Sequence, residues 1–176
     1  MDDVVRELYA AAVHVARRED AEVHALTGDG VFSVPELAYA YLVGKEFAQR
    51  WAYGKGERID WGREMSLGAG PTDLVLTGGF GTVAAEFKVR STLPKYQADL
   101  IKLASAEHEG RPVDRRIFLA LVDRFVGKAD PRIDEIGGGE GAPTLDPVVP
   151  DFARFKTTTK HYAGEVECVV AAWRVG

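Results

Sequence analysis

Hydrophobic residues recur at helical spacing in the first third of the chain. The apolar side chains at positions 5, 8, 9, 12, 15 and 16 fall on one face of a helix predicted over residues 3–19. A second helix is predicted from Ser33 to Tyr53, and together these helices fill residues 3–53. Its apolar stripe consists of Leu37, Tyr41, Gly44, Ala48 and Trp51.

The middle of the chain changes to a period of two. Alternating residues over 58–67 predict a strand with one face in water. Two strand-like runs within Gly70–Arg90, joined by Gly78-Gly79-Phe80-Gly81, predict a hairpin. A helix over Leu93–Glu109 and a nearly continuous apolar strand over Arg116–Val122 would complete a strand–helix–strand unit with parallel strands.

Glycine and proline are concentrated between residues 124 and 151. This composition predicts a long loop with one helical turn near Ile133–Ile136. The strand-like segment Phe155–Val175 follows, with a hairpin around Tyr162-Ala163-Gly164. We therefore predict one α/β domain over residues 1–176, with a core sheet and helix over 57–123. Its mixed sheet would have about five strands, flanked by helices.

Composition and charge narrow the classes of protein. The 176 residues are 46% hydrophobic and 28% charged, as is ordinary for a globular protein. A net charge of −5 weighs against a protein that coats nucleic acid, but a local basic strip would still allow a nuclease. We expect no membrane span and no secretory signal. Cys168 is the only cysteine, which excludes an internal disulfide and favours the cytoplasm.

The predicted hairpin brings charged residues together. Side chains alternate along a strand, so Glu86 and Lys88 project from one face, and Phe87 from the other. Folding at the glycine-rich turn brings Asp73 back toward Glu86. Two carboxylates with a nearby lysine suit a divalent cation. The alternative is a purely structural role, in which Glu86 and Lys88 are cross-strand partners on a face exposed to solvent.

These residues resemble the motif of the PD-(D/E)XK nuclease superfamily, which has the restriction-endonuclease-like fold. Pro71-Thr72-Asp73 is similar to the first half of that motif with one inserted residue, and Glu86-Phe87-Lys88 to the second. The resemblance covers roughly residues 33–122. It implies that Asp73 and Glu86 hold Mg²⁺ (or Mn²⁺) with the Phe87 carbonyl. Lys88 would then position or polarise the attacking water, for hydrolysis of phosphodiester bonds in DNA rather than RNA.

Glu36 has two interpretations. The resemblance implies a glutamate on the helix before the core sheet, and Glu36 would be that residue, as a further candidate metal ligand. Alternatively, Ser33 and Glu36 have the spacing of a capping box, in which the glutamate returns to the Ser33 amide. The sequence leaves both open.

Candidate contacts to nucleic acid follow the motif. Arg90, Lys95 and Lys102 lie close to it along the chain, although Lys95 and Asp99 also have the spacing of an i,i+4 ion pair. Some nucleases of the superfamily carry a Gln-x-x-x-Tyr motif on the following helix. Here Gln97 is followed by Ile101, so the motif is absent. Gln97 is then either a nucleic-acid contact or a solvent-facing residue.

A second class of function competes with the nuclease. The small size, the acidic charge and the lack of a recognisable specificity domain favour a catalytically silent, nuclease-like binding module. It would be an immunity-type protein or an accessory subunit. For the nuclease we predict a homodimer or a partner protein, since a single site cuts one strand at a time.

Overall fold

The computed structural model describes residues 3–68, 70–138, 141–160 and 162–176. Within these ranges the chain forms four α-helices and eleven strands. The helices are α1 (Asp3–Thr27), α2 (Glu36–Lys55), α3 (Leu93–Ala104) and α4 (Pro131–Asp134). The strands are β1 (Asp60–Gly62), β2 (Met65–Ser66), β3 (Pro71–Thr72), β4 (Leu74–Gly78), β5 (Gly81–Val89), β6 (Glu107–His108), β7 (Arg111–Pro112), β8 (Arg115–Phe125), β9 (Leu145–Pro147), β10 (Ala153–Thr157) and β11 (Val166–Val175).

A mixed sheet lies at the centre of the molecule. In the described part of the chain it has seven strands, in the order β1-β4-β5-β8-β11-β10, with β9 also paired to β11. Strands β5 and β8 are parallel, and their neighbours are antiparallel. The predicted α/β class with a mixed sheet flanked by helices is confirmed. The sheet has seven strands rather than about five, and its restriction-endonuclease-like character stays a prediction.

The helices cover the two faces of this sheet separately. On one face Val83, Ala85 and Phe87 of β5 belong to a core shared with α1 and α2. On the other face Ala84 of β5 and Phe118 of β8 belong to a core shared with α3. The alternation along β5 therefore places its even-numbered side chains beneath α3.

Two tyrosine hydroxyl groups fix α1 and α2 in place. Tyr9 donates to the carbonyl oxygen of Val170 on β11 at 3.0 Å. Tyr39 of α2 donates to the carbonyl oxygen of Ala12 on α1 at 2.8 Å. Because buried polar groups cost free energy unless they are paired, these bonds help to hold both helices against the sheet.

The predicted hairpin and the strand–helix–strand unit are confirmed. Strands β4 and β5 pair across a tight turn at Gly79-Phe80, with Leu74 opposite Ala85. Helix α3 then connects β5 to the parallel strand β8. The C-terminal hairpin is also present, because β10 and β11 are antiparallel neighbours.

Both N-terminal helices differ from their predictions. Helix α1 continues to Thr27 rather than ending at residue 19, and the chain leaves it at Gly28 with φ +73°. Residues 20–27 contain no glycine or proline, so nothing local ends the helix earlier. On α2, Leu37 and Tyr41 are about 40% exposed, so this part of the predicted stripe is wrong. The buried face is formed by Tyr39, Ala40, Val43, Gly44, Phe47 and Trp51.

The predicted strand over residues 58–67 is divided into β1 and β2. Glu64 adopts φ +52° between them, a conformation that interrupts a strand. Helix α3 ends at Ala104 rather than Glu109. Residues 107–108 instead form β6, which pairs with β7 across a turn in which Glu109 and Gly110 have positive φ.

The predicted loop over residues 124–151 is more structured than expected. Strand β8 continues to Phe125, and β9 pairs with the end of β11. The predicted helical turn corresponds to α4, which begins two residues earlier. Gly139 and Glu140, within the predicted loop, lie outside the described residues.

Gly44 provides a test of the packing between α2 and the sheet. A Cβ atom there would lie 2.8 Å from Cδ1 of Leu74 and 2.9 Å from Cε3 of Trp61. We expect Gly44→Ala to lower the free energy of unfolding by about 1–2 kcal/mol, because overpacking outweighs the gain in helix propensity. Urea denaturation would measure the change.

Gly54 on the same helix is the matched control. A Cβ atom there would have nothing within 4 Å. Gly54→Ala should therefore raise the free energy of unfolding by about 0.5–1 kcal/mol. Equal effects of the two substitutions would contradict the close approach of α2 to β1 and β4.

A membrane span was not expected from the sequence. In the described residues, no helix has both the length and the apolar character that crossing a bilayer requires.

Candidate active site

The β4–β5 hairpin brings two carboxylates together beneath α3. Leu74 pairs with Ala85, so Asp73, the residue before β4, lies beside Glu86. An Asp73 oxygen accepts a hydrogen bond from the Phe87 amide at 2.8 Å. The Glu86 side chain is only 1% exposed, whereas Asp73 is half-buried. The predicted proximity of Asp73 and Glu86 is therefore confirmed.

Lys102 of α3 supplies the positive charge nearest to Glu86. Its Nζ lies 2.7 Å from Oε1 of Glu86 and donates to the carbonyl oxygen of Pro71 at 2.8 Å. The approach to Glu86 is poorly aligned, however, and Oε1 has no hydrogen-bond partner among the described residues. Glu86 therefore has charge compensation without a well-formed hydrogen bond.

The environment of Glu86 favours its protonated form. Burial raises the pKa of this carboxyl group to about 8, and the neighbouring Asp73 carboxylate acts in the same direction. The Lys102 ammonium offsets only part of this increase. A carboxyl group so perturbed, beside a second carboxylate, is a common feature of functional sites.

Lys88 lies between two further carboxylates. Its Nζ donates to Oε1 of Glu36 at 2.9 Å and lies 2.7 Å from Oδ2 of Asp99. Burial alone would lower the pKa of Lys88, but Asp99 and Glu36 outweigh it and raise the pKa above its ordinary value. Lys88 therefore carries a fixed positive charge at neutral pH.

Glu36 does not cap its helix. Its second carboxylate oxygen accepts a hydrogen bond from the Val89 amide at 2.9 Å, so it holds both the side chain of Lys88 and the end of β5. Helix α2 has Pro35 at its N-cap, and the Ser33 hydroxyl donates to Asp29 instead. The capping-box interpretation is wrong because Glu36 is the first residue of the helix rather than the third.

Asp99 is the residue that the sequence analysis missed. The predicted pair with Lys95 is wrong, because Asp99 is directed toward Lys88 on the sheet. Asp99 and Lys102 both flank the buried stripe of α3 formed by Tyr96, Leu100 and Leu103. This position gives a signal in the sequence. A polar residue that borders the buried stripe of a helix can reach a candidate site beneath that helix.

The other predicted nucleic-acid contacts lie in different surroundings. Arg90 pairs with Asp123 at 3.1 Å, and its guanidinium lies over the ring of Tyr162. The Gln97 amide donates to the Gly138 carbonyl at 2.8 Å, and Lys95 is exposed. Contact of these residues with nucleic acid stays a prediction.

The charges of the site do not balance. It contains four carboxylates, Asp73, Glu86, Glu36 and Asp99, and two ammonium groups, Lys88 and Lys102. With Glu86 protonated, the form that its burial favours, the net charge is −1; with every group ionised, as when a cation displaces the Glu86 proton, it is −2. One divalent cation would neutralise this excess.

The donor atoms are consistent with Mg²⁺ or Mn²⁺. No group of three or more His, Cys, Asp or Glu side chains is arranged to hold a metal ion in the described ranges. Mg²⁺, however, is usually bound through one or two carboxylates and retains several waters. Asp73 and Glu86 provide two carboxylates, and Oε1 of Glu86 is a buried acceptor that the Lys102 ammonium faces at 2.7 Å without the geometry of a hydrogen bond. The residues fit such an ion, whereas the Phe87 carbonyl as a third ligand stays a prediction.

A cleft lies elsewhere on the molecule. Its volume is about 890 Å³, and its walls come from the ends of α1 and α2 and from Val149. None of the six charged residues described above lines it. The candidate site is therefore a charged face of the sheet beneath α3, separate from this cleft.

Comparisons with protein-family models, with curated proteins and with solved structures found no match. The assignment of function therefore depends on the geometry and chemistry of the site.

The raised pKa of Glu86 predicts how stability depends on pH. The ordinary value is 4.5 and the folded value about 8, so the folded protein binds the proton more tightly. This stabilisation is fully present below about pH 4.5 and is lost as the pH rises to about 8. In the presence of EDTA, we expect the free energy of unfolding to fall by up to a few kcal/mol across this range.

The variant Glu86→Gln isolates this effect. Its neutral amide should remove the slope, as measured by urea denaturation at several pH values. Glu165→Gln is the matched control, because Glu165 is 73% exposed and its substitution should leave the slope unchanged. Parallel pH profiles of Glu86→Gln and the wild type would contradict the prediction.

Proposed function

We propose that this protein is a metal-dependent nuclease that hydrolyses phosphodiester bonds, in DNA rather than RNA. The observation that carries the proposal is that Asp73 and Glu86 are neighbours and that Lys88 projects from the same face of the β4–β5 hairpin. The preference for DNA comes from the resemblance to the PD-(D/E)XK superfamily.

The two carboxylates would hold the metal ion. Asp73 and Glu86, with the carbonyl oxygen of Phe87, would be ligands of Mg²⁺ or Mn²⁺. A bound cation would supply charge stabilisation at the phosphate and would acidify a water molecule. The Phe87 amide keeps Asp73 in position, since it donates to the carboxylate from the backbone of β5.

Lys88 would act through its fixed charge. An ammonium group has three N–H donors; Glu36 accepts one, and Asp99, at 2.7 Å, is placed for a second. A remaining donor can face a water molecule or a phosphate oxygen. Positive charge placed beforehand near developing negative charge is among the largest contributions to catalysis.

Glu36 and Asp99 would position this lysine. They approach Lys88 from α2 and α3 respectively, and Glu36 also holds the Val89 amide. In this proposal Glu36 orients Lys88, and its alternative role as a metal ligand depends on exchange of that contact.

Cleavage assays test the proposal directly. The purified chain would be incubated with end-labelled duplex DNA, single-stranded DNA and RNA, in Mg²⁺, in Mn²⁺ and in EDTA. We expect cleavage of DNA that requires the metal and disappears in EDTA. Absence of cleavage of all three substrates in both metals would reject nuclease activity.

One observation favours the silent binding module instead. The charged groups of the site already contact one another, in the sets Lys102–Glu86–Asp73 and Glu36–Lys88–Asp99. Such a set can stabilise a structure without doing chemistry. This alternative predicts no change in melting temperature on addition of Mg²⁺ or Mn²⁺.

The assembly and the compartment are part of the proposal. A double-strand break requires two sites or two visits, so we propose a homodimer or a complex with a partner protein. The chain is acidic, with a net charge of −5, so we expect a single copy to bind the phosphates of DNA only weakly. The single cysteine favours a reducing compartment, and we propose the cytoplasm.

A further inference from the structure

The ammonium group of Lys102 lies against the same carboxylate that would bind the metal ion. Its Nζ is 2.7 Å from Oε1 of Glu86, and that oxygen has no hydrogen-bond partner in the described residues. The Glu86 side chain is 1% exposed and the Lys102 side chain 25% exposed. Lys102 therefore reaches from the edge of α3 to a buried carboxyl group.

The surrounding backbone accommodates this lysine. Nζ of Lys102 donates to the Pro71 carbonyl at 2.8 Å. Its Cδ atom would lie 3.8 Å from a Cβ atom at Gly70, and Gly70 has φ +142°, a conformation that favours glycine. The backbone at Gly70 thus passes close to the lysine stem, and the Pro71 carbonyl holds the charged end near Glu86.

Two cations cannot occupy this position together without strong repulsion. A divalent ion with Oε1 of Glu86 as a ligand would lie within a few ångströms of the lysine nitrogen, which is 2.7 Å from that oxygen. Lys102 has an open side and several rotatable bonds, whereas Glu86 is enclosed. The lysine is therefore the group that can move away.

We propose that Lys102 is a built-in counter-ion of Glu86 that a divalent cation displaces from the site. This inference depends on the proposed metal-dependent function and assigns one residue of this chain to control of metal loading. It also explains how Lys102 can contact nucleic acid, as the sequence predicts, because metal binding releases its ammonium group.

Substitution of Lys102 should increase the affinity for metal, whereas simple loss of a contact would not increase it. Lys102→Met removes the competing charge and keeps an apolar stem of similar shape. We expect it to bind Mn²⁺ about tenfold more tightly than the wild type, as measured by calorimetric titration. Lys102→Arg keeps the charge and should remain weaker than Lys102→Met. Lys95→Met, on the exposed side of α3, should match the wild type.

The wild-type protein offers an independent measurement. Acetylation with an amine-reactive reagent, followed by mass spectrometry, reports the accessibility of each lysine. We expect Mn²⁺ to increase acetylation of Lys102 severalfold and to leave Lys95 unchanged. Asp73→Asn should abolish the increase at Lys102, because it removes a metal ligand.

The outcomes separate this inference from the function on which it depends. If Mn²⁺ binds to neither the wild type nor Lys102→Met, both the metal site and the displacement are rejected. If Mn²⁺ binds to the wild type through Asp73, but Lys102→Met binds no more tightly and Lys102 acetylation is constant, only the displacement is rejected.

Discussion

Asp73→Asn is expected to abolish metal-dependent cleavage and the rise in melting temperature that Mg²⁺ or Mn²⁺ produces. In the wild type, a metal ion at a hundredfold excess over its Kd should stabilise the fold by about 2.7 kcal/mol. Asparagine removes the charge but keeps an oxygen that can accept the hydrogen bond from the Phe87 amide. The fold without metal should therefore remain intact. Thermal unfolding against metal concentration, paired with nicking of labelled DNA, would measure both effects.

Lys88→Ala should separate metal binding from chemistry. It leaves both carboxylate ligands in place, so the metal-induced stabilisation should survive. Cleavage should fall by about two orders of magnitude, since the fixed charge near the phosphate is lost. Lys156→Ala is the control, because Lys156 is 74% exposed and lies outside the proposed site, and it should cleave normally. Unchanged nicking by Asp73→Asn would instead indicate a contaminating nuclease or another site.

The parts of the site within the hairpin were predictable from local sequence. The period of two along β5 placed Glu86 and Lys88 on one face, and the glycine-rich turn placed Asp73 beside Glu86. Both signals act over fewer than twenty residues, and the antiparallel register follows once the turn is fixed. The geometry of this pair therefore agreed with the structure.

The contacts made from other elements could not be predicted in the same way. Glu36 is 52 residues from Lys88 in the chain, and its local sequence gave a competing interpretation as a helix cap. Asp99 likewise had a local partner of opposite charge four residues away. In both cases the carboxylate pairs with Lys88 on the sheet instead, because a half-buried lysine requires compensation of its charge.

The number of strands in the sheet was underestimated for a related reason. Strand β9 has three residues and contains a proline, so its pairing with β11 depends on the position of β11 rather than on its own pattern. Glu64 interrupted a predicted strand whose apolar set is broken at Arg63, which allowed a bend there. Tertiary packing sets the backbone conformation of a single residue, and the periodicity of the sequence does not report that packing.

A buried ion cluster at the ends of β5 and β8 should be among the most sensitive points of the fold. The Asp123 carboxylate is 1% exposed and lies 2.6 Å from Nη1 of Arg132 and 3.1 Å from Nε of Arg90. It also accepts a hydrogen bond from the Tyr162 hydroxyl at 3.0 Å. Arg90 has φ +50° and follows Val89 directly, so this cluster also fixes the point where β5 ends, one residue after Lys88.

Asp123→Ala is expected to lower the free energy of unfolding by about 3–5 kcal/mol, because two half-buried guanidinium groups would lose their shared counter-charge. Asp146→Ala is the matched control. Asp146 pairs with Arg174 at 3.2 Å but is 66% exposed, so its loss should cost no more than about 1 kcal/mol. Urea denaturation of both variants at one pH would measure the difference. Similar small losses in the two variants would mean that the pairing of Arg132 with Asp130 is sufficient and that Asp123 does not anchor the end of β5.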